Sequence, residues 1–344
     1  MIRFNCDYQE GAHPRILQKL MDTNYVQSPG YGEDDFCAEA RQIIRKKCAA
    51  PKADVHFLVG GTQTNLIFMS AALRAHQGSI SVETGHIAVH ESGAVESTGH
   101  KVITLPGKDG KLGAGEVSEY CRLHCADEAH EHMVMPKVVY ISNPTELGTL
   151  YTRNELQALR GVCDQWNLYL YMDGARLGYG LASPENELDL PFIAEMCDAF
   201  YIGGTKQGML FGEALVITRD ALKEDFRYII KQKGAMFAKG RLLGLQFTEL
   251  LKDDLYMEMS QHAIDLAMKL KQAFTDKGYP FLMESPTNQQ FPILPDAHLD
   301  VLKKKYSYSY MQRVDAEHSA VRFCTSWATT PENVDALIAD IQAL

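Results

Sequence analysis

Two short runs carry the residues with the most chemistry to offer. Leu168 to Leu177 delivers Asp173 and Arg176, and Phe200 to Lys206 delivers Lys206 behind Gly203, Gly204 and Thr205. Each starts as an apolar run rich in aromatic and β-branched residues and ends abruptly in polar ones, as a buried parallel strand does. Ligands of open α/β sheets bind at the carboxyl ends of the strands, so two such ends can share one ligand. An Asp and a Lys placed this way suit pyridoxal phosphate (PLP). The Lys forms the Schiff base, and the Asp keeps the pyridinium nitrogen protonated so that the ring accepts electrons. On these segments alone, a capping Asp and a surface Lys that happen to follow strands stay open as the alternative.

Other segments must position these ends. Asp54 to Val59 predicts a first strand that runs into Gly60, Gly61, Thr62 and a helix reaching about His76. Glycines and hydroxyls at a helix start offer free amides and the positive end of the dipole to a phosphate. An ordinary capped turn reads the same way until it is joined to Lys206. The segment has neither a Walker lysine nor the three-glycine spacing of a dinucleotide site, which argues against a nicotinamide dehydrogenase. Strands follow at Ser79–Glu83, Lys101–Leu105 and Pro136–Ser142. His86 stands just past the first of these, where an imidazole can stack on a planar ring or be merely structural.

Helices are expected over Pro14–Met21, Phe36–Cys48, Gly115–Cys125, Arg153–Trp166 and Leu190–Asp198, with Gly212–Thr218 as an antiparallel strand. One helical pattern then runs from Ala221 to Asp276, as if linking two domains. Strands at Gln290–Leu294, Tyr306–Gln312 and Val321–Ser326, then a helix from Pro331, suggest a small α+β domain. The expected division is 1–245 and 246–344. A long loop, Asn24 to Asp35, contains Tyr25 and Tyr31 and reads as functional.

Bulk composition narrows the class. A chain of 344 residues with 46% hydrophobic and 23% charged residues can bury a large core without metal or disulfide staples. A net charge of −10 argues against nucleic-acid binding. The polar start and the absence of a long apolar run lead us to expect neither a leader nor a membrane span. Eight scattered cysteines without a CxxC pair read as reduced thiols in a cytoplasmic protein. His124 to His132 gathers three histidines, three acids and a thiol, but in no standard zinc spacing, so we expect a surface segment and no metal.

Taken in order, Tyr31-Gly-Glu-Asp34, Gly61-Thr62, His86 with Glu91-Ser-Gly-Ala94, Asp173-Gly-Ala-Arg176, Gly204-Thr-Lys206 and Val321-Arg322 form a specific set. Over nearly its whole length the chain resembles the threonine aldolases of the β-eliminating lyase group, PLP enzymes of fold type I. Within that group it looks most like the low-specificity threonine and phenylserine aldolases. The resemblance implies a mainly parallel seven-stranded sheet with helices on both faces, plus the small C-terminal domain.

It also implies roles. Lys206 would be the Schiff-base lysine, Asp173 the partner of the ring nitrogen, and His86 the residue stacked on the ring. Gly61, Thr62 and Thr205 would hold the phosphate. Arg322, assisted by Arg176, would bind the substrate α-carboxylate through its planar fork. His132 falls about where a family histidine meets the β-hydroxyl, so the base would be His86, His132 or a water between them. Tyr31 would line the active site of a neighbouring subunit in a homodimer or homotetramer, and one of Lys231, Lys233 and Lys239 would reach the partner's phosphate.

The start departs from the family: Asn5-Cys6-Asp7-Tyr8 stands where Arg-Ser-Asp-Thr is usual, so Cys6 replaces a serine that helps hold the carboxylate. The implied reaction is cleavage of an L-β-hydroxy-α-amino acid to glycine and an aldehyde. β-Elimination, transamination and a catalytically silent PLP-fold protein are the alternatives.

Overall fold

The apolar runs form the strands that their composition predicts. In the computed structural model, which describes residues 1–344, a two-residue strand β1 (Ile2–Arg3) precedes the main sheet. That sheet comprises β2 (Asp54–Leu58), β3 (Gln77–Val82), β4 (Val102–Leu105), β5 (Met135–Ser142), β6 (Tyr169–Asp173), β7 (Ala199–Gly203) and β8 (Glu213–Ile217). Its order is β2-β8-β7-β6-β5-β3-β4, with every neighbouring pair parallel except those made by β8. The link Gly204–Gly212 is too short for a helical crossover, so β8 returns antiparallel. The mainly parallel seven-stranded sheet is thus as expected.

Successive strand residues face opposite sides. Val139, Ile141, Leu170, Met172 and Phe200 enter one core, shared with helices Asp35–Lys47, Arg153–Gln165 and Arg241–Leu251. Val138, Tyr140, Tyr171, Ala199 and Tyr201 enter the other, under helices Gly61–Ala72 and Phe226–Gln232. Each fully buried large apolar side chain contributes roughly 1.5–3 kcal/mol, so burial on both faces fixes the register. Register in turn sets which residues reach the carboxyl edge: Ser142 lies opposite Asp173.

The helical stretch expected from Ala221 to Asp276 is broken. Gly234, Asp253 and Asp254 take left-handed conformations (φ 73°, 53° and 55°) and separate Phe226–Gln232, Arg241–Leu251 and Leu255–Asp276. Asp is among the few residue types that visit this region readily, and no proline marks the breaks in the sequence.

The small domain contains β9 (Gln289–Gln290), β10 (Ile293–Pro295), β11 (Tyr306–Ser307), β12 (Ser309–Arg313) and β13 (His318–Cys324). Two of the expected strands are therefore split, one of them at Pro292, which lacks the amide a ladder needs. The helix Asp296–Leu302 was not expected. One helix beyond residue 245, Leu255–Asp276, serves both cores. Leu255, Tyr256 and Met259 pack into the large core, while Leu266 and Phe274 of the same helix pack into the small one. The small core takes Phe4 as well, and β1 pairs with β11.

Two helical glycines should respond oppositely to alanine. A Cβ on Gly161 would meet nothing within 4 Å, whereas one on Gly244 would lie 2.5 Å from Cα of Cys37. Gly161→Ala should raise stability by about 0.5–1 kcal/mol, and Gly244→Ala should lower it by about 1–3 kcal/mol. Thermal midpoints that move up for the first and down for the second would check this.

Candidate active site

A cavity of about 290 Å³ opens at the carboxyl edge, lined by Gly61, Thr62, His86, Asp173, Thr205 and Lys206 among others. It adjoins a wider one of about 610 Å³ that reaches Arg322 and Tyr310 of the small domain. Tyr8, His86, Glu146, Arg176 and Lys206 line both.

Asp173 ends β6 with a buried carboxylate that accepts four hydrogen bonds. Oδ1 takes the Tyr201 hydroxyl and the Ala175 amide (3.0 Å); Oδ2 takes the Tyr140 hydroxyl (2.7 Å) and the Asn65 amide (3.0 Å). Burial alone would raise its pKa, but nearby His86 and the donors Tyr201, Asn65 and Ala175 hold it below the usual range. The group is therefore a fixed anion. The turn after it requires glycine: a Cβ on Gly174 would lie 1.8 Å from the Tyr201 carbonyl oxygen.

Asn65 also donates to Glu91 (2.7 Å), whose same oxygen meets Nδ1 of His86 at 2.7 Å. Burial opposes charge on His86, but Glu91 and Asp173 outweigh it and raise its pKa. The imidazole is thus held in one orientation against the cavity.

The Lys206 side chain makes no hydrogen bond and no ion pair; its Nζ lies 5.9 Å from the Tyr8 ring. Burial, then Arg176, lowers its pKa against the pull of Asp7, Asp173 and Glu213. A desolvated, unpaired lysine is an activated nucleophile. Behind it, burial pushes the Glu213 carboxyl up to about 8. Glu213 accepts from the Thr205 hydroxyl (2.8 Å) and the Gly204 amide (3.2 Å).

The helix Gly61–Ala72 begins at the cavity with no side-chain cap at Gly60. Its first amides point free, as an anion site requires. An unpaired lysine, a buried anion and an uncapped helix start are what the aldehyde, ring nitrogen and phosphate of PLP require, so the residues present fit that cofactor.

A family profile described as beta-eliminating lyase matches residues 18–296. The chain belongs to the beta-eliminating lyase family. A low specificity L-threonine aldolase from a Pseudomonas species is 30% identical over 99% of this chain and 97% of its own. One from Pseudomonas aeruginosa is also 30% identical, with the same coverage. The structure of a Leishmania major threonine aldolase superposes with a TM-score of 0.97 at 43% identity, covering 100% of this chain and 99% of its own. A Thermus thermophilus aspartate aminotransferase, at TM-score 0.70 and 15% identity, shares the fold.

Most residues singled out from sequence meet at this edge: Gly61, Thr62, His86, Asp173, Arg176, Thr205, Lys206 and, on the wider side, Arg322. Three stand differently from expectation. His132 lies on an exposed turn ahead of β5, at the opposite end of the strand from Ser142, and lines neither cavity. Arg176 is already engaged: Nε and Nη2 hold Asp7 at 2.7 and 3.0 Å. It is thus less free to hold a substrate carboxylate than Arg322, which meets only the neutral acceptors Gln289, Asn5 and Ser309. The Cys6 thiol accepts from Gln9 at 3.2 Å and lines neither cavity; Tyr8 is on the wall instead. Tyr31, expected at a neighbouring subunit's site, lines neither cavity and is 46% exposed, with Lys231 4.7 Å over its ring.

Sequence reasoning gave no role to Asn65, Tyr140, Tyr201, Glu146 or Glu213. Tyrosines inside otherwise apolar strands were a usable signal, since a buried phenol needs a hydrogen-bond partner.

Asp7 is buried against Arg176 and also accepts from Asn288 (2.9 Å). Burial opposes its charge, yet Arg176, Lys206 and Asn288 lower its pKa to about 2. Asp7→Asn should cost about 3–5 kcal/mol at neutral pH by leaving Arg176 unpaired. The folded pKa lies below the ordinary value of about 4. The stabilisation is therefore complete above that value and fades as pH falls towards 2. Thermal midpoints of protein and variant should converge over that window.

Proposed function

We propose that this protein cleaves L-β-hydroxy-α-amino acids of the threonine type to glycine and an aldehyde, with PLP as cofactor. The observation that carries the reading is the unpaired Lys206 beside the fixed Asp173 anion, with Arg322 free of any acidic partner across the adjoining cavity. The names of the relatives from Pseudomonas and Leishmania point to the same substrate class.

Bound PLP would supply the electron sink for the pair released from the Cα–Cβ bond. The chain's own residues do the rest. Burial and Arg176 disfavour a proton on Lys206, which favours its attack as an amine. Asp173, kept ionised, would hold a proton on the ring nitrogen. The amides of Gly61 and Thr62 would receive the phosphate. Arg322 would fix the α-carboxylate and so orient the bond to be broken, and the small-domain wall would limit water.

Tyr31 is proposed to line the site of a second copy in a homodimer or homotetramer; its exposure and the cationic Lys231 beside it support this. A reducing cytoplasm suits the eight unpaired thiols, and no helix is long and apolar enough to cross a membrane.

Purified protein supplied with PLP should develop a visible absorbance band that Lys206→Ala abolishes. With L-threonine, L-allo-threonine or L-phenylserine it should release glycine and the matching aldehyde. Pyruvate, or no carbon–carbon cleavage, would refute the reading. Arg322→Gln should raise KM by about 10–100-fold, as for loss of a charged hydrogen bond, while the absorbance band stays.

A further inference from the structure

Resting on the aldolase reading above, we propose that Glu146 is the catalytic base that takes the proton of the substrate β-hydroxyl. The position has three features that such a base needs. Glu146 stands with Lys206 on the wall shared by the two cavities, and Arg322 lines the wider of them. Its carboxylate is locked: Oε1 accepts from the His86 backbone amide (2.9 Å) and the Ser142 hydroxyl (2.7 Å). Oε2 accepts nothing from another residue.

The loop that carries it is fixed too. The Thr145 amide donates to the Thr149 carbonyl (2.9 Å), the Gly148 amide to the Thr145 carbonyl (2.9 Å), and the two threonine hydroxyls meet at 2.7 Å. Gly148 takes φ +75°, and a Cβ there would lie 2.3 Å from the Ser285 hydroxyl of the small domain. A carboxylate with one oxygen anchored and one free is already aimed before substrate arrives.

The competing bases are worse placed. His132 is at the far end of the sheet. Nδ1 of His86 is committed to Glu91. His90 lines only the wider cavity and is exposed.

The surroundings suit the role. Burial raises the pKa of Glu146, and Asp173 pushes the same way, while Ser142 and His86 act against it. Tyr140 and Tyr151 face it as neutral phenols, raised by their own burial. Lys206, Arg176 and Arg322 share the cavity walls. A carboxylate lifted towards the working pH accepts protons better than an ordinary one.

The step balances without a further reactant. The β-hydroxyl proton passes to Oε2, and the O–H bonding pair becomes the second bond of the aldehyde carbonyl. The Cα–Cβ bond breaks and its pair stays on Cα. One proton added there gives glycine, and Glu146 returns its own proton to water.

Three assays on wild type and Glu146→Gln decide the matter: cleavage of L-threonine, α-proton exchange of glycine in D₂O, and PLP affinity. Exchange never touches a β-oxygen. We expect cleavage to fall about 10²–10⁴-fold, exchange and PLP affinity to hold within a few-fold, and the acid limb of the cleavage profile to vanish from the residual rate. Glu146→Asp should keep that limb at an intermediate rate, which also covers a glutamine variant that fails to fold. Cleavage within threefold of wild type, equal losses in cleavage and exchange, or an acid limb removed by His90→Asn instead would overturn the assignment. A wild type that exchanges glycine but cleaves no threonine would refute the aldolase reading itself.

Discussion

A buried, permanently ionised Asp173 is the constraint that the large domain is built to meet. A lone carboxylate at that depth would take up a proton. It stays charged because Tyr140, Tyr201, Asn65 and the Ala175 amide converge on it. Those donors come from β5, β7, the helix Gly61–Ala72 and the turn after β6. Charge at one atom therefore depends on the register of three adjacent strands and the seating of a helix. A one-residue slip would turn both tyrosines to the opposite face.

The same anion organises its neighbours. Asn65 bridges Asp173 and Glu91, Glu91 holds His86, and the His86 backbone holds Glu146. One polar chain thus runs from the floor of the inner cavity to the wall of the outer one. The members of such a network polarise and position one another, so its residues act as a unit. The pKa directions follow from position along it: Asp173, rich in donors, is lowered, and Glu146, with fewer, is raised.

Much of this was legible in the sequence, because strand ends announce themselves. The apolar runs before Asp173 and Lys206 fixed both which strands they close and at which edge they emerge. The uncapped Gly61-Thr62 turn and the isolated His86 were legible for the same reason. What stayed hidden depends on contacts distant along the chain. Arg176 looked like a substrate ligand until Asp7, 169 residues away in sequence, proved to occupy it. His132 was placed near the site only by the resemblance to a family histidine, and the strand Met135–Ser142 stands between it and the carboxyl edge. Glu146 gave no signal in an irregular loop whose shape is set by Gly148 and Ser285. The breaks at Asp253 and Asp254 were invisible because a left-handed residue leaves the helical hydrophobic pattern intact on either side.

Residues 2–7 join the two domains. Ile2 and Arg3 pair with β11, Phe4 lies in the small core, and Asp7 closes on Arg176 of the large domain and Asn288 of the small one. Asn5 accepts from Ser307, Ser309 and Arg322, which lie 302, 304 and 317 residues further along. On a ribosome this segment emerges first, yet nothing it binds in the small domain exists until synthesis is almost over. The sheet can form during translation, but its cleft stays open to water on one side. Wall, clasp and Arg322 are all synthesised late, so a nascent chain carries Lys206 long before the wider cavity can be completed.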